Sequence, residues 1–144
     1  MEDMHPRALE LLTGPNIGNL GYYGLDGHPR VLPVWFTLNG GDLEIASPPD
    51  AYKCRALRAD PRATLTVSTP VAPYHVVSAS GTAAIERLPE GRRIAFVRAV
   101  AYRYLGQEGG DAYIARWIKG GHPGPGDLIR LPMQRLRYTD VSGE

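Results

Sequence analysis

Residues 26–47 decide how this chain folds: Asp26-Gly27-His28-Pro29-Arg30-Val31-Leu32-Pro33-Val34-Trp35-Phe36-Thr37-Leu38-Asn39-Gly40-Gly41-Asp42-Leu43-Glu44-Ile45-Ala46-Ser47. The Asp-Gly pair at its head is a strong hairpin signal, because glycine tolerates the positive φ that a tight turn demands. A β-rich run from Arg30 to Leu38 follows and stops at Asn39-Gly40-Gly41. Asp42 to Ser47 then alternates polar and apolar side chains, the period of a half-buried strand. With an extended stretch over 16–25, two Asx-Gly turns join three consecutive strands and predict an antiparallel meander. The turns leave no room for crossover helices, so a doubly wound parallel sheet is excluded. Pro33 puts the middle run at a sheet edge or a bulge, since proline cannot donate to a ladder.

Working outward, residues 6–13 read as a short amphipathic helix closed by Gly14-Pro15. Asp50 follows Pro48-Pro49 as the expected N-cap of a helix through Ala59, which Asp60-Pro61 stops. Arg62 to Thr69 is the next strand and Tyr74 to Glu86 a longer one, with Gly81 marking a bulge or a close backbone approach. Leu88-Pro89-Glu90 opens the clearest helix. Its Ile94, Val97, Val100, Ala101, Tyr104 and Leu105 recur at helical spacing, which assigns Arg93, Arg98 and Arg103 to the surface. Gly106 is expected to end it. A further helix over Asp111–Lys119, a loop over Gly120–Gly126 and a strand from Asp127 to about Tyr138 complete the pattern. The reading is one domain over 1–144: an N-terminal helix within 1–15, a barrel with helices over 16–138 and a tail over 139–144. It is mainly β, with about six largely antiparallel strands forming a small barrel and three or four peripheral helices.

The 144 residues suit a single domain. Sixteen basic against fifteen acidic side chains give no general field for nucleic acid or a membrane surface, so neither is expected as a partner. No apolar run approaches the ~18 residues of a spanning helix. The acidic start, Met1 to Pro6, lacks a signal-peptide core, and a cytoplasmic protein is expected. One cysteine, Cys54, excludes an intrachain disulfide and a cysteine-based zinc site. None of the four histidines has a metal-ligand spacing, so they are read as surface or turn residues with no metal. Cys54 between Lys53 and Arg55 is either an activated thiol or a packed helix residue. The glycine-rich stretch 120–126 is neither a Walker loop nor a dinucleotide fingerprint.

Lys53, Arg55, Arg58 and Arg62 set four cations against Asp60 alone. Such a cluster at a strand-to-helix junction suits a phosphate, or it is simply a solvated helix face. Tyr22, Tyr23, Trp35, Phe36, Tyr74, Tyr102, Tyr104 and Trp117 either line a pocket for a flat ligand or fill an ordinary core.

An ordered set of motifs runs through the chain: Asn16-Ile-Gly-Asn-Leu20, Asp26-Gly27-x-Pro29-x-Val31-x-Pro33-Val-Trp-Phe36, Lys53-x-Arg55-x-Leu57-Arg58-x-Asp60-Pro61-Arg62, Gly81-x-Ala83 and Arg103-Tyr-Leu-Gly106. It resembles the pyridoxamine 5'-phosphate oxidase-like split β-barrel superfamily, and within it the deazaflavin (coenzyme F-420)-dependent reductase branch. The resemblance implies a six-stranded antiparallel split β-barrel of the FMN-binding type. It implies a homodimer with a flavin-type cofactor at each of two interface sites. By that match the backbone around Val34, Trp35 and Phe36 contacts the ring, and Ser47, Lys53 and Arg55 hold the phosphate. Arg58 and Arg62 are candidates for the anionic tail. The implied cofactor is coenzyme F-420, with FMN as the alternative. The implied activity is hydride transfer to an activated C=C, C=N or conjugated small-molecule acceptor. The proton then comes from Tyr22, Tyr23, Tyr102, Tyr104 or water. The rival readings are an FMN-dependent oxidoreductase and a non-catalytic binder of flavin, haem or tetrapyrrole. Gly21-Tyr22-Tyr23-Gly24, Ala56 and Pro48-Pro49 depart from the pattern usual in such proteins.

Overall fold

The computed structural model describes residues 4–141. In chain order the elements are α1 (Pro6–Thr13), β1 (Gly18–Tyr23), β2 (Pro29–Val34), β3 (Thr37–Asn39), β4 (Asp42–Ser47), α2 (Tyr52–Ala59), β5 (Arg62–Ser68), β6 (His75–Thr82), β7 (Ala84–Leu88), α3 (Glu90–Lys119), β8 (Gly126–Pro132) and β9 (Arg135–Asp140). Two antiparallel sheets result, one ordered β2-β1-β5-β6-β9 and the other β3-β4-β8-β7. They do not close on each other, so the barrel is split.

Both Asx-Gly turns form hairpins, with Gly27 at φ +80° and Gly40 at φ +61°. The middle run is not one strand, however. Val34 ends β2 in the first sheet and Thr37 begins β3 in the second, with Trp35-Phe36 as the corner. The long runs over 74–86 and 127–138 break in the same way, at Ala83 and at Met133-Gln134. A segment shared by two facing sheets has to bend where it crosses between them. The six expected strands therefore become nine among the described residues, and the last extends beyond the expected end at 138 to Asp140. As Pro33 requires, β2 lies at the edge of its sheet.

Two of these corners meet at Gly81. A Cβ there would stand 2.1 Å from the Pro132 carbonyl oxygen, so the expected close approach is real. Gly81→Ala should destabilise the fold by about 2–3 kcal/mol through forced backbone movement, read as a lower urea midpoint.

Alternation along the strands builds the core. Leu20, Leu65, Val67, Val77 and Ala79 of the first sheet meet Leu43, Ile45, Ile129 and Leu131 of the second, all essentially inaccessible. Leu12 of α1, Leu57 of α2 and Phe36 of the corner complete it. Each such side chain contributes about 1.5–3 kcal/mol.

Asp50 does not cap α2. Its φ is +56° and its carboxylate takes Arg58 and Arg87, leaving Ala51 at the N-cap without a side-chain bond. The two helices expected on either side of Gly106 run together as α3, interrupted only at that glycine (φ +74°). Two of the arginines assigned to its surface turn inward. Arg93 is 8% exposed, and Arg103 donates to the carbonyls of Leu12, Thr13 and Gly14, satisfying the C-terminal end of α1. His75 is likewise buried. Its Nε2 accepts from Arg7 at 2.7 Å and its Nδ1 meets the Tyr138 hydroxyl at 2.6 Å.

Candidate functional site

Trp35 at the corner, the end of β4, the first turn of α2 and one face of α3 line an open cavity of about 630 Å³. Ligand sites usually fall within about 300–1,000 Å³. Leu32, Pro33 and Val34 come from β2, Ser47 and Pro48 from the end of β4, and Lys53 from α2. From α3 come Arg93, Val97 and Val100, whose spacing puts them on one helix face. Tyr113, Arg116 and Trp117 repeat that logic beyond Gly106, and His122 follows from the loop.

Charge is distributed unevenly in this space. Among the described residues Lys53, Arg93 and Arg116 line it, whereas no aspartate or glutamate does. Lys53 is half-buried and makes no ion pair among the described residues. It stands in the first turn of α2, which has no acidic residue and no side-chain cap. An ammonium so placed, next to helix-start amides, fits a phosphate. The donor chemistry therefore fits the phosphorylated cofactors of the resemblance.

The corner is held from α3. The Tyr104 hydroxyl accepts the Phe36 N–H at 3.1 Å and donates to the Asn16 carbonyl at 2.8 Å. Its ring stacks on Trp35, with centroids 5.0 Å apart and planes 6° from parallel. Tyr104→Phe should cost about 1–2 kcal/mol, because it leaves a backbone donor and an acceptor short of partners. Guanidine unfolding of the variant checks this.

Of the residues expected at the site, the structure brings Val34, Trp35, Ser47 and Lys53 to one cavity. Phe36 faces the core and offers only backbone. Ser47 is buried, its hydroxyl donating to the Pro48 carbonyl and accepting from the Cys54 thiol. Arg55 does not line the cavity. Two residues apart on a helix is a turn of about 200°, so its guanidinium lies over the Tyr52 ring instead, 5.4 Å from the centroid. Arg58 pairs with Asp50 and with buried Asp127, and Arg62 pairs with Asp60 at 2.7 Å.

None of the four candidate tyrosines lines the cavity. Tyr22 packs in the core, and burial raises its pKa. Tyr23 sits on the outer sheet face under the Arg62 guanidinium. The Tyr102 hydroxyl donates to Asp111, and that bond raises its pKa. The Tyr104 hydroxyl is engaged on both sides, by the Phe36 N–H and the Asn16 carbonyl. Tyr113 stands in the wall instead, 5.2 Å from Trp35 between ring centroids. Its spacing of four from Trp117, with Arg116 beside them, was the signal available in the sequence. Cys54 is a packed helix residue. Burial raises its thiol pKa, outweighing the neighbouring Lys53, so it is not an activated nucleophile.

The model for the pyridoxamine 5'-phosphate oxidase family matches residues 4–140. Among solved structures, an F-420 reductase is similar with a TM-score of 0.69 at 20% identity, over 95% of this chain and 99% of that one. An FAD-binding protein from Mesorhizobium loti gives 0.60 at 20% identity, over 94% of each chain. A haem-binding protein from Mycobacterium smegmatis gives 0.62 at 25% identity, over 98% of this chain and 57% of that one. No curated protein sequence matches. The family match runs from before α1 to the last residue of β9, taking in both sheets and every residue of the Lys53 cavity, and by it this chain belongs to the pyridoxamine 5'-phosphate oxidase family.

Proposed function

We propose that this chain is an oxidoreductase that binds reduced coenzyme F-420 in the Lys53 cavity and reduces an activated small-molecule acceptor. The carrying observation is the charge of that cavity, in which, among the described residues, a half-buried ammonium has no carboxylate partner and no acid lines the wall. An anionic ligand satisfies such a group better than water does. Similarity to an F-420 reductase over nearly the full length of both chains supports the deazaflavin over FMN.

When bound, the cofactor supplies a hydride to an electron-poor C=C or C=N, and the acceptor also takes up one proton. The chain's own residues bind and orient. Lys53 holds the phosphate, and the Val34–Phe36 backbone, fixed by Tyr104, supports the ring. Trp35, Tyr113 and Trp117 keep water from the reacting face. Lys53 and Arg116, cations of the cavity wall, would favour negative charge on a group held there. Tyr113, the tyrosine that lines the cavity, supplies the proton the acceptor takes up.

The proposal includes a homodimer. The outer face of the five-stranded sheet sets Val31, Gly21, Thr64 and Ser80 in one row across β2, β1, β5 and β6. Val31 is 71% exposed there, and the small residues beside it leave a shallow bed for a second copy. Sedimentation should return twice the chain mass, and a lone protomer would contradict the dimer.

Titration of the purified protein with F-420 and with FMN tests the cofactor, and a panel of conjugated acceptors tests turnover. Tighter F-420 binding and acceptor-dependent reoxidation of reduced F-420 are expected. Tighter FMN binding would make the chain an FMN-dependent oxidoreductase. Binding with no turnover across the panel would make it a carrier.

A further inference from the structure

Pro48 and Lys53 line the cavity, and Asp50 between them does not. By sequence its carboxylate belongs beside Lys53, because an acid at the start of a helix accepts the N–H groups two and three residues further on. Three contacts hold it elsewhere. Its Oδ1 accepts from Arg58 Nη1 at 3.0 Å and from Arg87 Nη2 at 2.8 Å. Its N–H donates to the buried Asp127 carboxylate at 2.8 Å. Asp127 in turn takes Arg87 Nε at 2.7 Å and Arg58 Nη2 at 3.3 Å, so two acids and two arginines form one network. Asp50 is the one non-glycine residue at positive φ among the described residues, at +56°. A side chain stays in that conformation where its surroundings impose it. The vacated positions are plain. Cys54 and Arg55 donate to the Ala51 carbonyl, whereas the Tyr52 and Lys53 N–H groups have no acceptor among the described residues. The Lys53 ammonium has no ion pair there either.

We propose that Arg58 and Arg87 are positioning residues of the phosphate site: they hold Asp50 off Lys53, and without them Asp50 becomes an internal rival that takes the place of the phosphate. This inference rests on the phosphate reading of the Lys53 cavity. The rivalry follows from the sequence. A carboxylate three residues from Lys53 is tethered, with an effective concentration on the order of millimolar. Left to itself it would meet the ammonium and the two open amides, the same groups that suit a phosphate. Two charge-assisted bonds to guanidiniums outweigh that attraction and leave the wall free of acid. The two arginines therefore act on the ligand through Asp50, without touching it.

Nitrogen-edited NMR of the Tyr52 and Lys53 amides tests this on the full chain, comparing wild type with Arg87→Gln, Asp50→Gly/Arg87→Gln and Arg92→Gln. Arg87→Gln leaves Arg58 and the Asp50 N–H on Asp127, so the buried carboxylate keeps two partners. Glycine accepts the positive φ of position 50 while removing the carboxylate. Arg92→Gln removes an equal charge, from a guanidinium that pairs with Glu86 instead. Without ligand, the Lys53 amide should move downfield in Arg87→Gln alone, as the Asp50 carboxylate accepts it. Inorganic phosphate, added at constant ionic strength, should bind Arg87→Gln about three- to tenfold more weakly than wild type, the weight of one N-cap bond. The double variant and Arg92→Gln should stay within about twofold of wild type, as expected of exposed charges. F-420 should rank the four proteins in the same order. An unmoved Lys53 amide in Arg87→Gln, a loss of affinity that Asp50→Gly does not restore, or an equal loss in Arg92→Gln would each overturn the proposal. If wild type binds phosphate or F-420 and Arg87→Gln binds it as tightly, this inference fails and the phosphate reading stands. If the Lys53 amide moves in Arg87→Gln while wild type binds neither, the phosphate reading fails and Asp50 is left as a helix cap held in reserve.

Discussion

Replacing Lys53 with alanine should weaken binding of F-420 or FMN by about 10- to 100-fold, the loss of one charge-assisted phosphate contact. Arg55→Ala should change it by no more than about threefold, as expected of an exposed charge outside the cavity. The contrast between two cations two residues apart is the informative part. The Lys-x-Arg motif offers both to a phosphate, whereas the helix turns only Lys53 into the wall. Cofactor fluorescence titrations of the two single variants read the difference. Thermal unfolding should leave both near wild type, because neither side chain belongs to the core.

Asp127→Ala should destabilise the protein by about 2–3 kcal/mol. The Asp127 carboxylate is fully buried, accepts the Asp50 N–H at 2.8 Å, and meets Arg87 at 2.7 Å and Arg58 at 3.3 Å. Breaking a buried ion pair costs about 3–5 kcal/mol. Both guanidiniums are nearly half exposed and regain water, which reduces the loss. The same site gives the fold an acid limit. Burial pushes the Asp127 carboxyl upward, but the Asp50 amide and the two arginines outweigh it and hold its pKa below the ordinary 3.8. The unfolded chain therefore takes up the proton first on acidification. The stability Asp127 contributes is intact above that ordinary value and drains away as pH falls through the lowered one. Asp26, Asp60 and Glu86 are shifted in the same direction. Urea midpoints should fall below about pH 4, and less steeply in Asp127→Asn.

The strand boundaries that were legible in the sequence are those marked by local chemistry. Asp26-Gly27 and Asn39-Gly40 state their turns in two residues, and Pro33 states its edge in one. The corners at Trp35-Phe36, Ala83 and Met133-Gln134 carry no such mark. A run that leaves one sheet for another keeps its β-forming composition, and only the position of the second sheet bends it. Gly81 signalled a close approach, but its partner, the Pro132 carbonyl, lies 51 residues further along the chain. At the site, the aromatic corner and Lys53 could be read from motif order. Arg93 and Arg103 could not, because a helical pattern assigns every arginine to water. What brings them inward is a set of carbonyls at the loop 120–126 and at the end of α1, which only the tertiary fold supplies. Asp50 misled for a related reason. It stands where an N-cap belongs, but Arg58 from the last turn of α2 and Arg87 from β7 compete for its carboxylate and win.

A crystal structure with F-420 or FMN bound is the most direct measurement of the central claim. The phosphate should lie within about 3 Å of the Lys53 Nζ and the ring against the Val34–Phe36 corner. A phosphate held elsewhere, with the Lys53 ammonium still facing only water, would contradict it.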